Sequence, residues 1–103
     1  MGAETFYEEA YASDSDAAWR QLRADAISYY GTQPYTGSIK EKHTYKFATQ
    51  EVLSIDEAYA LANKLIDQHP EFVDKWGPAG CIETHPAPDV KSRRFLFFGW
   101  ASA

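Results

Sequence analysis

One cysteine, Cys81, is all the chain holds, so no internal disulfide can form and no second thiol completes a Cys-x-x-Cys metal or redox pair. It reads as an inert, part-buried thiol. Long apolar runs are missing too: no window approaches the roughly 18 to 20 residues that a membrane-crossing helix requires. Met1-Gly2-Ala3-Glu4 opens without the basic-then-apolar pattern of a leader peptide, and Phe6 stands where a myristoylation site needs Ser or Thr. A cytoplasmic location is therefore expected. Repeats, low-complexity tracts and long linkers are absent. The 103 residues, 45% of them hydrophobic, are read as a single domain, 1–103, with one core.

Basic residues are also scarce, ten Lys and Arg against fifteen Asp and Glu, for a formal net charge of −5. Duplex nucleic-acid affinity comes mainly from neutralised phosphates, which argues against a general nucleic-acid binder. The charge is uneven, however. Residues 1–16 hold Glu4, Glu8, Glu9, Asp14 and Asp16 with no basic residue, whereas Lys40, Lys42, Lys46 and Lys91, Arg93, Arg94 form two basic groups. Concentrated cations on a small acidic protein suit a compact anionic ligand better than a polymer; read structurally, they are solvated strand faces.

Segment 4–12, rich in aromatics, reads as a first strand. Ser13 to Asp16 offer N-caps for an amphipathic helix over 15–30, with Ala18, Trp19, Leu22, Ala26, Tyr29 and Tyr30 on its apolar stripe and Gly31 closing it. After the loop 31–37, alternation predicts a strand over 38–48. Ile39, Glu41, His43, Tyr45 and Phe47 then share one face, while Ser38, Lys40, Lys42, Thr44 and Lys46 share another that faces solvent or ligand. Ser54 and Glu57 form a capping-box pattern before a second helix reaching residue 68, which His69-Pro70 ends. A turn over 70–75 and a loop over 76–80 follow. Segment 80–86 reads as a short strand, 86–92 as a hairpin loop, and 93–101 as a strand apolar on both faces and therefore central or covered. The order β-α-β-α-β-β predicts an α+β two-layer sandwich, a four-stranded sheet with both helices on one face. Its expected core includes Trp19, Leu22, Ile39, Phe47, Leu65 and Phe97.

No catalytic signature emerges. A Walker loop is absent, and the glycine turn at Gly37 enters a strand rather than a helix. His43-Thr44-Tyr45 and His85-Pro86-Ala87 lack the hydroxyl that a two-histidine phosphoesterase carries at the second residue after each histidine. Cys81-x-Glu83-x-His85 is too common a strand triplet to indicate a metal. No cofactor and no metal are expected. The richest stretch is instead Tyr35-Thr36-Gly37-Ser38 followed by Lys40, Glu41, Lys42 and His43. There, amides freed by a glycine turn, two hydroxyls and two ammonium groups could surround a phosphate or carboxylate. A tight turn needing Pro34 and Gly37 for its dihedral angles explains the same residues structurally. Glu41 and His43 could accept a ligand hydroxyl and contact a phosphate, or pair with each other or with Arg93 and Arg94 as a structural network. Trp76, flanked by Gly77, could stack a base or pack in the core.

Three segments resemble a group of small proteins encoded by bacteriophages and their hosts: Tyr35 to Lys42, as Tyr-Thr-Gly-Thr/Ser-Ile-x-Glu-Lys; Lys75 to Ala79, as Lys-Trp-Gly-Pro-Ala; and Phe97 to Ala101, as Phe-Phe-Gly-Trp-Ala. The resemblance implies a phage context and residence in the host cytoplasm. In that setting small domains block host defence by binding a protein or by sequestering a signalling nucleotide. The leading expectation is a non-enzymatic binder of a small anionic, nucleotide-like ligand, with Tyr35, Thr36, Gly37, Ser38, Lys40, Glu41, Lys42, His43, Trp76 and Arg94 as its site. The alternative is a protein-interaction module that inhibits a host factor through exposed tyrosines and the acidic N-terminal segment. A nucleotide-processing enzyme ranks third. Neither membrane nor duplex nucleic acid is expected as a partner; a homo-oligomer is compatible with each reading.

Overall fold

A computed structural model describes residues 2–103; Met1, where the opening was read for a leader, lies outside it. Strand β1 (Ala3–Ala12) leads into helix α1 (Ser15–Tyr30), then a 3₁₀ turn (Ile39–Glu41) and the three-residue strand β2 (Tyr45–Phe47). Helix α2 (Ile55–Gln68), a second 3₁₀ turn (Pro70–Phe72), and strands β3 (Ala79–Thr84) and β4 (Arg93–Ser102) complete the chain. The sheet order is β1-β4-β3-β2, with β1 and β3 antiparallel to β4 and β2 parallel to β3. The α+β class, the four strands, the two helices and their order agree with the sequence reading.

Local chemistry sets the helix ends. The Asp14 carboxylate accepts from Ala17 N–H at 2.8 Å, satisfying one of the amides a helix start leaves free. Ser54 and Glu57 close a reciprocal capping box at α2, and His69 before Pro70 ends that helix.

The layering differs from expectation, because the helices lie on opposite faces of the sheet. Successive β4 side chains alternate faces. Phe95 and Phe97 join Trp19 and Ala18 of α1, while Leu96 and Phe98 join Ala58, Ala62 and Ile66 of α2. The cause is visible in β4 itself. A run apolar on both faces requires cover on both, and each helix supplies one. On the first face Trp19 meets Phe97 and Tyr45 at ring separations of 5.3 and 5.2 Å. On the second, the alanines of α2 let its backbone approach the sheet, and Gly80 leaves space for the Phe98 ring; a Cβ there would lie 2.4 Å from Phe98 Cζ.

Of the expected core, Trp19, Ile39 and Phe97 are buried and Leu22 and Leu65 partly so, but Phe47 is 41% exposed. The predicted strand over 38–48 shrinks to Tyr45–Phe47 because Ser38 caps the 3₁₀ turn, its hydroxyl accepting from Lys40 N–H at 3.2 Å. That turn breaks the two-residue alternation on which the placement of Glu41, Lys42 and Phe47 relied.

Candidate functional site

The three motif segments do meet, through internal bonds. Gly37, at a positive φ of 69° that glycine adopts without steric cost, donates its N–H to Ser102 O at 2.7 Å. Thr36 donates from N and Oγ1 to the Glu41 carboxylate, at 3.1 and 2.8 Å, and shares a 2.7 Å hydrogen bond with the Ser38 hydroxyl. Although burial pushes the Glu41 carboxyl up, the Thr36 bonds and the Lys40 charge outweigh it and hold the group below its ordinary value.

The cations expected to face a ligand are engaged. Lys40 Nζ donates to Gln33 O at 2.6 Å and stands 4.0 Å from Glu41. Lys42 is only 1% exposed, and its Nζ donates to Asp74 O at 2.6 Å and Gly77 O at 2.9 Å, stitching the motif loop to the 70–78 segment. Burial lowers its pKa to about 8, against the opposing pull of Asp74. Arg94 is remote from the loop: its guanidinium donates to Thr84 Oγ1, Tyr11 Oη and His85 O at the other end of β4. Eight residues of strand separate Arg94 from Ser102, roughly 26 Å. Nor do Glu41 and His43 pair with Arg93, which binds Glu83 in a bidentate bridge at 2.9 Å.

Three side chains of the expected site remain open: Trp76, His43 and Tyr35. Trp76 is 74% exposed, held outward by an Asx turn in which Asp74 Oδ1 accepts from Trp76 N–H and Gly77 N–H at 2.9 and 2.7 Å. With Glu41, exposed His43, Thr44 and Pro78 it lines a depression of about 130 Å³, and Lys75 Nζ lies 5.0 Å from its ring. Tyr35 is also exposed, at a positive φ of 55°, but does not line this depression.

A larger cavity, about 270 Å³, sits between β1 and the second half of α1. Glu8, Leu22, Asp25, Tyr29 and Tyr30 line it, with Ile39 of the 3₁₀ turn. Tyr29, placed on the apolar stripe by its spacing, is instead 81% exposed and meets Tyr30 edge to face at 4.9 Å. Burial raises the Glu8 carboxyl above its ordinary value of 4.5. No ion pair formed among the described residues includes Glu8 or Asp25. The cavity is therefore aromatic and acidic, and it repels anions. The sequence carried its signal in two places never joined: an acidic first strand and a Tyr-Tyr helix end. Compared with known proteins, the chain matches no family model, no curated protein and no solved structure. Among the described residues no helix is long and apolar enough to cross a membrane.

Proposed function

We propose that the protein is a non-enzymatic protein-interaction module that takes its partner on the groove between α1 and β1. The observation that carries this reading is the joining of exposed Tyr29 and half-buried Tyr30 to two carboxylates without ionic partners in the larger cavity. Tyrosine supplies large contact area at low entropic cost and is enriched where proteins bind one another. The lysines on which an anion site depended are meanwhile spent on backbone carbonyls.

A photo-crosslinking amino acid at Tyr29, compared with the same group at Lys91 on the hairpin loop, tests the reading in cells. A discrete adduct from position 29 that is missing from position 91 is expected. Equal labelling from both positions, or none from 29, overturns it.

One observation favours a second reading, in which a planar anion stacks on Trp76 beside Lys75 and His43. A depression of about 130 Å³ is small beside the roughly 300 to 1,000 Å³ of ordinary ligand sites. Native mass spectrometry of the purified protein decides: a co-purifying nucleotide lost in Trp76→Ala establishes this second reading in place of the first.

A further inference from the structure

We propose that β1 accepts an extended, basic segment of a partner protein as a fifth strand of the sheet, with one lysine or arginine of that segment entering the cavity lined by Glu8, Leu22, Asp25, Tyr29 and Tyr30. The inference rests on the protein-interaction reading and supplies its mode and the partner's chemistry.

Among the described residues strand β1 pairs only with β4 and so forms an edge of the sheet. Ala103 N–H donates to Gly2 O at 3.1 Å, continuing the ladder in which Ala3 lies opposite Ser102. In an antiparallel ladder, residues turn both N–H and C=O to the same neighbour at every second position. Glu4, Phe6, Glu8, Ala10 and Ala12 therefore face β4, and Ala3, Thr5, Tyr7, Glu9 and Tyr11 turn their backbone groups outward. Among the described residues, none of these outward groups has a backbone partner in a loop or turn. At ~3.4 Å per residue the open edge runs for about 30 Å, long enough for a full ladder. Natural proteins add strands to such edges, the backbone giving affinity and alternate side chains giving specificity.

Charge selects the occupant. No basic residue precedes Arg20, and Glu4, Glu8 and Glu9 all lie on the edge strand. A second copy pairing β1 with β1 would bring these carboxylates against like charges, which destabilises a strand pair. A basic strand is attracted by the same groups, and the field also speeds its approach. Geometry supplies the anchor. An added strand lies about 4.8 Å from β1, and a residue opposite Glu8 projects to the same face as Glu8, beside the cavity. Its alkyl stem then packs on Leu22 and the tyrosine rings while its charged head meets Glu8 and Asp25. That pairing gives a cation to Glu8 and Asp25, the two carboxylates of the cavity, neither of which forms an ion pair among the described residues.

The test uses the full chain and a nine-residue peptide of alternating valine and arginine, acetylated and amidated. Controls are the same peptide with glutamate for arginine, and two versions N-methylated at alternate residues, one in each phase. Calorimetry is expected to show binding of the arginine peptide alone of the two charge forms, and binding at least tenfold weaker to the Glu8→Gln/Asp25→Asn double variant. One N-methylated version is expected to lose binding while the other keeps it, because only one phase blocks the ladder. NMR shifts should cluster at Thr5, Tyr7, Glu9 and Tyr11. The double variant changes two surface carboxylates, and an unchanged melting temperature confirms its fold. Equal binding of both N-methylated versions, shifts centred elsewhere, or no binding overturns strand addition. A partner crosslinked from position 29 alongside such a failure leaves the interaction module standing; failure of both experiments removes both.

Discussion

Lys42 shows most clearly how a side chain's role depends on backbone that spacing does not reveal. On a regular strand it would point outward with Lys40 and Lys46; after the 3₁₀ turn at Ile39–Glu41 it points inward and holds Asp74 O and Gly77 O. Replacing it by methionine leaves Gly77 O without this donor and Asp74 O with only the Gly77 N–H, while removing a desolvated charge. The expected net loss at pH 7 is about 1 to 3 kcal/mol by chemical denaturation. The pH dependence is more specific. With a folded pKa of about 8 against an ordinary 10.5, the unfolded chain holds more protons than the folded one between those values. Wild-type stability measured relative to Lys42→Met should therefore rise from pH 8 to 10.5, other titrating groups cancelling in the difference. A flat or falling difference would show that the ammonium is not desolvated in the folded protein. Cys81, expected to be part-buried, is fully buried, and burial pushes its thiol up to about 12.

Elements with strong local signals were legible in the sequence. α1 runs over residues 15–30, α2 begins at its capping box, and the hairpin strands agree to within two residues. The sidedness of the helices was not, although β4 contained the clue: Phe95 and Phe97 point one way, Leu96 and Phe98 the other, and both sets are fully buried. Gly80 belongs to the same account, since it gives up its side chain so that Phe98 can seat beneath α2. Gly80→Ala is expected to destabilise by about 1 to 3 kcal/mol, the range of an overpacked core, with the loss read as a lower melting temperature. A variant as stable as the wild type would show that the second face is loosely packed. Where the spacing predicts a strand over 38–48, the chain forms a serine-capped 3₁₀ turn and a short strand, because a capped turn and a strand start share the same composition over a few residues.

For the molecule as a whole, the expected anion site dissolves into tertiary glue. Thr36, Gly37, Ser38, Lys40, Glu41 and Lys42 tie the motif loop to β4, to the loop after α1 and to the 70–78 segment, and only His43, Tyr35 and Trp76 of that set remain exposed. What faces outward instead is an acidic edge strand beside a tyrosine-lined cavity, a juxtaposition that arises only once β1 and α1 are packed together. The alternating edge of β1 is the central claim, and amide hydrogen exchange of the free protein, read residue by residue by NMR, tests it most directly. Phe6, Glu8 and Ala10 N–H, turned to β4, should exchange slowly, while Thr5, Tyr7, Glu9 and Tyr11 N–H exchange orders of magnitude faster. Uniform protection along β1 would contradict the account, because it would mean that another strand already covers the edge.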